Sequence, residues 1–234
     1  MVKSFYLDNK KSRDFGILID EAGPFGAPKL DINQVSIPGK NGDIIISNKR
    51  YENFELTYKC GIIGRDIDAR IKEIKSWLFS NKYRVLYDDF IGKEYFRYAY
   101  FCGPLKVESS KRLANFEITF NCKPFLYSFE GQNWIELEGP AEIINPEVLN
   151  SKPLLKVTGK GEIQINSQRT VISDENTLFI DTEIQNAYFE NNGVYSNANS
   201  KVTNCDLELV SGKNTIFYDD SKISLSIMPR WCCL

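Results

Sequence analysis

The sequence predicts a mainly β protein in two parts, the first of them closed over by one helix. Three observations carry this. Only the stretch Asp66 to Ser80 has helical periodicity, with Ile67, Ile71, Ile74, Trp77 and Leu78 on a single face at 3.6 residues per turn. Elsewhere in the first half apolar and polar residues alternate, as in LDINQVSI and ANFEITF. From about Ser128 onward, short strand patterns recur with turn formers between them and no helical period, the pattern of a β-sandwich. The expected domains are residues 1–130, carrying the helix at 66–80, and residues 131–234.

The helix is justified by both its faces and its ends. Asp68, Arg70, Lys72, Glu73 and Lys75 form a solvated side, so the opposite stripe must be buried on a sheet. Asp66 is placed as N-cap or first-turn acid at the positive end of the helix dipole. Asn81 is expected to stop the helix by taking the left-handed conformation.

Before the helix, SFYL and FGILI are short strands around a charged turn, and the Gly- and Pro-rich EAGPFGAPK (21–29) is a loop. LDINQVSI is expected as a half-buried strand that stops at Pro38-Gly39-Lys40-Asn41-Gly42, where Pro fixes one φ and Gly permits positive φ. DIIIS and YENFELTYKC follow, with Phe54, Leu56 and Tyr58 on one face. After the helix come YRVLYDD and KEYFRYAYFCG, then LKVESS and ANFEITFNC, which ends at Pro124. In the second part the expected strands are LLKVTGKG, EIQIN, RTVIS, NTLFIDT, NAYF, DLELV, NTIFYDD and KISLSIM; the Asn-rich FENNGVYSNANSKVTN is expected as polar loops.

Composition narrows function. The chain has 234 residues, 42% hydrophobic and 13% aromatic, enough for packed cores. A formal charge of -2, with Lys and Arg spread along the chain, offers no basic footprint for nucleic acid. No apolar run approaches the roughly 20 residues of a membrane span. The first residues lack the apolar core of a secretory signal, so a soluble protein made in the cytoplasm is expected.

Histidine is absent, which removes Ser-His-Asp triads, Cys-His dyads, His-ligated metals and a His general base. The six cysteines are too irregular for a disulfide framework, and only Cys232-Cys233 are adjacent; no metal site and no cofactor are expected. Asp88-Asp89 is the one tempting carboxylate pair. It reads instead as the turn of a hairpin between VLY and YFRYAYF, so no catalytic residue is assigned. The dense aromatics Tyr95 to Phe101 read as strand packing before ligand stacking. The last six residues, Pro229-Arg230-Trp231-Cys232-Cys233-Leu234, are too apolar for a free tail. They dock on their own domain, on the first domain, or on a neighbouring subunit.

Several stretches taken in order resemble the distal tail protein family of long-tailed siphophages, the siphovirus tail component family. They are Ile37-Pro-Gly-Lys-Asn-Gly42, Tyr51-Glu-Asn-Phe54, the helix end Ser76-Trp-Leu78, Leu86-Tyr-Asp-Asp89 and Phe120-Asn-Cys-Lys-Pro-Phe125. Asn145-Pro, Lys152-Pro-Leu-Leu-Lys-Val-Thr-Gly159, Gly212-Lys-Asn-Thr-Ile216 and Met228-Pro-Arg-Trp231 complete the set, which covers essentially the whole chain. The family often ends in Pro-Arg-Trp-Trp, whereas Cys232 follows Trp231 here.

The resemblance implies a β-barrel-like N-terminal domain with one helix and a hairpin, then a galectin-like β-sandwich. It implies a homo-hexameric ring at the virion tail tip, joining the major tail tube protein to the tail-associated fibre or lysin protein and, in many phages, to receptor-binding protein. Ring closure needs heterologous contacts. Pro38, Gly39, Asn41, Gly42, Pro229, Arg230 and Trp231 are the candidate assembly contacts. The alternative is a carbohydrate-binding module, against which stands the lack of a second-domain Trp between Trp134 and the tail. A tail-associated hydrolase is the third class, and it lacks histidine.

Overall fold

A computed structural model describes residues 3–22 and 26–234; residues 23–25 of the expected loop lie outside the described residues. The chain divides into two compact units, residues 1–126 with 234 and residues 127–233.

In the first unit the strands are β1 (Phe5–Leu7), β2 (Lys10–Lys11), β3 (Leu18–Ala22), β4 (Leu30–Val35), β5 (Ile44–Tyr51) and β6 (Phe54–Ile63). Helix α1 (Ile67–Leu78) is followed by β7 (Arg84–Asp88), β8 (Gly92–Phe101), β9 (Val107–Ser109) and β10 (Leu113–Cys122). The main sheet runs β2-β1-β7-β8-β10-β6-β3, with β9 also on β10, and does not close among the described residues. Its spine is β6 against β10, antiparallel from Phe54↔Cys122 to Ile63↔Leu113. Leu56, Tyr58, Cys60 and Ile62 alternate inward from β6, and Phe116, Ile118 and Phe120 from β10.

Helix α1 buries the predicted stripe: Ile67, Ile71, Ile74, Trp77 and Leu78 all join that core. Trp77 lies between two rings, Phe5 at 5.5 Å and Phe15 at 4.3 Å, both nearly parallel to it. The ends differ from expectation. Asp66 precedes the helix in a left-handed conformation (φ 56°) and its side chain caps nothing. Extended backbone at Phe79 stops the helix, two residues before Asn81. The C-terminal carbonyls gain a cation instead, because Arg84 donates to the Trp77 carbonyl and is held by Asp8 at 2.6 Å.

Strand β11 (Leu126–Ser128) begins at the boundary, and the second unit contains β12 (Ile135–Leu137), β13 (Ala141–Asn145), β14 (Leu154–Thr158), β15 (Gly161–Ile165) and β16 (Gln168–Ile172). It continues with β17 (Leu178–Asp181), β18 (Asn186–Asn191), β19 (Val194–Asn197), β20 (Gly212–Tyr218), β21 (Ser224–Met228) and β22 (Cys232–Cys233). One sheet has the order β12-β21-β14-β17-β18-β19 and the other β13-β20-β15-β16. Leu155, Val157, Leu178, Ile180 and Ile227 of the first meet Ile163, Ile165, Ile172 and Ile216 of the second in one core, so this unit is a β-sandwich.

Two expectations change here. DLELV forms no strand; it buries Leu207 and Leu209, bridges Ser151 through Leu209, and holds Lys152 between Asp206 and Glu208. The Asn-rich loops contain a regular hairpin, β18–β19, turned at Asn192-Gly193 with both φ positive (50° and 79°).

Candidate assembly surfaces

Strands β4 and β5 do not enter the main sheet. They pair only with each other, Val35↔Ile44 through Leu30↔Tyr51, as a separate two-stranded ribbon. Its tip is the predicted turn: Lys40 N–H donates to the Ile37 carbonyl (3.1 Å), with Pro38 and Gly39 (φ 82°) at the two central positions of a type II turn. Asn41 and Gly42 are exposed beside it. The base is anchored: Asp31 takes Arg50 at 3.0 Å and Asn48 at 2.8 Å, and Tyr51 packs edge-on against Phe125.

The expected half-burial of β4 stops at Asp31 and Ile32, and most apolar residues of the ribbon face solvent. Ile45 is 62% exposed and Ile46 51%, and Leu30, Val35, Ile37 and Ile44 are exposed as well. Successive residues of a strand point to opposite faces, so Ile45 lies on one side and Ile44 and Ile46 on the other. Both faces of the ribbon therefore carry uncovered isoleucines, Ile45 beside Gln34 and, opposite, Ile44 and Ile46 beside Val35 and Asn33.

Asp88 is 1% exposed and fully engaged. Tyr58 Oη donates to its Oδ2 at 2.5 Å, and the backbone N–H groups of Phe90 and Ile91 donate to its Oδ1 at 2.9 Å. The carboxylate thus shapes the β7–β8 turn. Burial, with Asp88 next, pushes the Tyr58 phenol well above its ordinary value. Asp89 points elsewhere and accepts from Ser4 N–H at 3.0 Å. The two carboxylates do not form a shared site. Among the described residues no group of three or more His, Cys, Asp or Glu is arranged to hold a metal ion.

Pro229, Arg230 and Trp231 sit within the second unit. Trp231 is buried in the sandwich core, and β22 pairs with β11. Arg230, at φ 56°, forms a bidentate pair with Asp181 (2.7 and 3.0 Å) with Glu183 3.7 Å away. Gly131 allows the close approach: a Cβ there would lie 2.4 Å from the Trp231 nitrogen. The turn 38–42 and the tail 229–231 belong to different units, each placed by its own contacts.

Sequence reasoning missed one grouping, the rings of Trp134, Phe179, Tyr188 and Tyr195, which meet in series on one sheet of the sandwich. The available signal was period two: Phe179 and Tyr188 alternate with the core residues Leu178, Ile180 and Ala187 and so must point outward.

Residues 11–122 match the family model of the phage tail protein RIFT-related domain. No curated protein matches the sequence. Among solved structures, the Dit protein (gp 19.1) of phage SPP1, a hub of the adsorption apparatus in phages infecting Gram-positive hosts, has a similar fold. It is 11% identical, with a TM-score of 0.72 over 97% of this chain and 98% of that one. A chain of the phage P2 baseplate, in its activated conformation with Ca, matches at 10% identity and TM-score 0.55 over 97% and 98%. The same baseplate with Sr gives 0.54 at 10% identity and the same coverage. The family match marks residues 11–122, just under half of the chain, as a phage tail protein RIFT-related domain, and the likeness of fold extends over 97% of the chain.

Proposed function

We propose that this protein is a siphophage distal tail protein, built into a closed hexameric ring that joins the tail tube to the tail-tip proteins. The observation that carries the reading is the β4–β5 ribbon, whose isoleucines are exposed on both faces. Covering a buried-sized aliphatic side chain contributes about 1.5–3 kcal/mol. A two-stranded ribbon left in water is marginal at best. One flat surface covers one face only, so a ribbon with exposed isoleucines on both sides suits insertion into a neighbouring copy. Such a contact is heterologous, and it yields a ring when its rotation closes. The similarity to a hub protein and to baseplate chains supports the tail-tip position. The engaged Asp88 and the lack of histidine support work done by surfaces instead of turnover.

In this reading Pro38, Gly39, Asn41 and Gly42 are contacts carried at the ribbon tip. Pro229, Arg230 and Trp231 contribute by completing the second unit. The partners are five further copies, the tail tube protein and the tail-associated fibre or lysin protein.

Light scattering tests it. The purified chain should give a hexamer, alone or on adding those tail proteins. Ile45→Asp with Ile46→Asp should leave a monomer with an unchanged melting temperature, since both side chains are exposed. A stable dimer that closes with no tail protein, or a hexamer indifferent to the double substitution, would overturn the proposal.

A further inference from the structure

The outer face of the six-stranded sheet carries a file of four rings. Trp134, just before β12, meets Phe179 of β17 with centroids 6.3 Å apart and planes at 60°. Phe179 stacks on Tyr188 of β18 at 5.5 Å and 14°, and Tyr188 meets Tyr195 of β19 edge-on at 5.4 Å and 74°. The file belongs to the second unit alone. The two middle rings cover one another and are half-buried, whereas Trp134 at the one end is 39% exposed and Tyr195 at the other 63%.

Polar groups share the face. Glu136, Ser226, Lys156, Phe179, Tyr188 and Asn197 are successive register partners across the sheet, so hydrogen-bonding side chains stand in the same row as the rings. Two residues along β17, the Asp181–Arg230 pair is already closed on itself.

We propose that this face binds a linear, uncharged polysaccharide. Sugar rings present C–H faces that stack on aromatic rings, and hydroxyls that pair with carboxylates, amides and ammonium groups at their edges. The exposed rings at the two ends supply the first, and Glu136, Lys156 and Asn197 supply the second. Charge selects against an anionic polymer. Glu136, Glu190, Asp181 and Glu183 border the file, against Lys156 and Arg230. Shape selects against a protein partner. A stable protein interface takes about 800 Å² per side around an apolar centre. Here the apolar strip is one ring wide, with polar groups in the same row. The inference stands apart from the ring proposal, since the β4–β5 ribbon plays no part in it.

An array of neutral and anionic cell-wall polysaccharides, probed with the full chain, tests it. Binding to at least one neutral linear polymer is expected. Trp134→Ala and Tyr195→Ala should each weaken it about tenfold, the scale of one lost ring contact. Tyr195→Phe, which keeps the ring, should retain most of the binding. Thermal melting of each variant, unchanged for exposed rings, separates lost binding from lost fold. Flat curves across the array, binding confined to anionic polymers, or binding indifferent to the double Ala variant would each overturn the proposal. So would capture of a tail protein through these same rings with no sugar bound. None of these results alters the size measured by light scattering.

Discussion

Cys60, Cys122 and Cys232 are buried and free; burial pushes each up to about 12, outweighing the opposing charge of Arg97 at Cys122. In the unfolded chain a thiol ionises near pH 8.5. Between those values the unfolded state loses protons that the folded state keeps, so folding stability falls as pH rises. The stability is fully present below about pH 8.5. Each thiol then removes about 1.4 kcal/mol per pH unit, and Tyr58 joins them above about pH 10, because its folded value is also raised. Urea unfolding with reductant present should therefore show a midpoint that is flat from pH 7 to 8 and falls steeply by pH 10. A midpoint that holds constant to pH 10 would mean these thiols ionise freely in the folded chain. The sequence announced that the cysteines form no framework, but their protonation depends on which strand face each occupies. For Cys60 and Cys122 that face follows from period two along β6 and β10.

At the scale of the element, legibility followed from whether a pattern names its own partner. Helix α1 was readable because five apolar side chains on one face require a surface, and its unit has only the sheet to offer. The β4 pattern has the right period but says nothing about which surface covers it; Leu30 and Val35 join neither core of the chain. The β18–β19 hairpin was hidden by composition. Its turn is Asn-Gly, yet Glu190, Asn191, Ser196 and Asn197 mask the alternation, which leaves Ala187 and Phe189 on the core and Tyr188 against Tyr195 as its apolar contacts. The tail contact was half visible: an apolar terminus demands docking, but its seat depends on the 3-10 turn Glu130–Gln132, which no sequence signal links to Trp231. That turn is testable. The φ of Gly131 lies outside the left-handed region, so a side chain there meets only a steric objection, from Trp231 nitrogen at 2.4 Å and its Cβ at 3.0 Å. Gly131→Ala should cost about 1–3 kcal/mol, the scale of overpacking, read as a lowered denaturation midpoint with an unchanged slope. An unaffected midpoint would show that the tail shifts away at little cost.

For the whole molecule, the decisive feature is that each unit owns a core. The first assembles from residues 5 to 122 around α1 and the β6–β10 pair; the second draws from residues 143 to 231 and uses the end of the chain. Deleting residues 229–234 removes Trp231 from that second core, about 3–5 kcal/mol by analogy with large-to-small core substitutions. It also strips Arg230 from Asp181, leaving a partly buried carboxylate without its cation, and removes one of the strands paired with β11. Against a domain stability of about 5–15 kcal/mol, that sum is enough to unfold the sandwich. The first unit loses no core residue by this deletion. The truncated chain should therefore keep the helical circular dichroism signal and a cooperative melt reported by Trp77, while Trp134 emits as a solvated indole. Because the β4–β5 ribbon lies in the first unit, the truncated chain should still assemble into rings if the proposed contact is correct. A truncated chain that melts like the intact one would place Trp231 outside the energetics of the sandwich. Loss of the Trp77 transition as well would show that the two cores fold as one cooperative body.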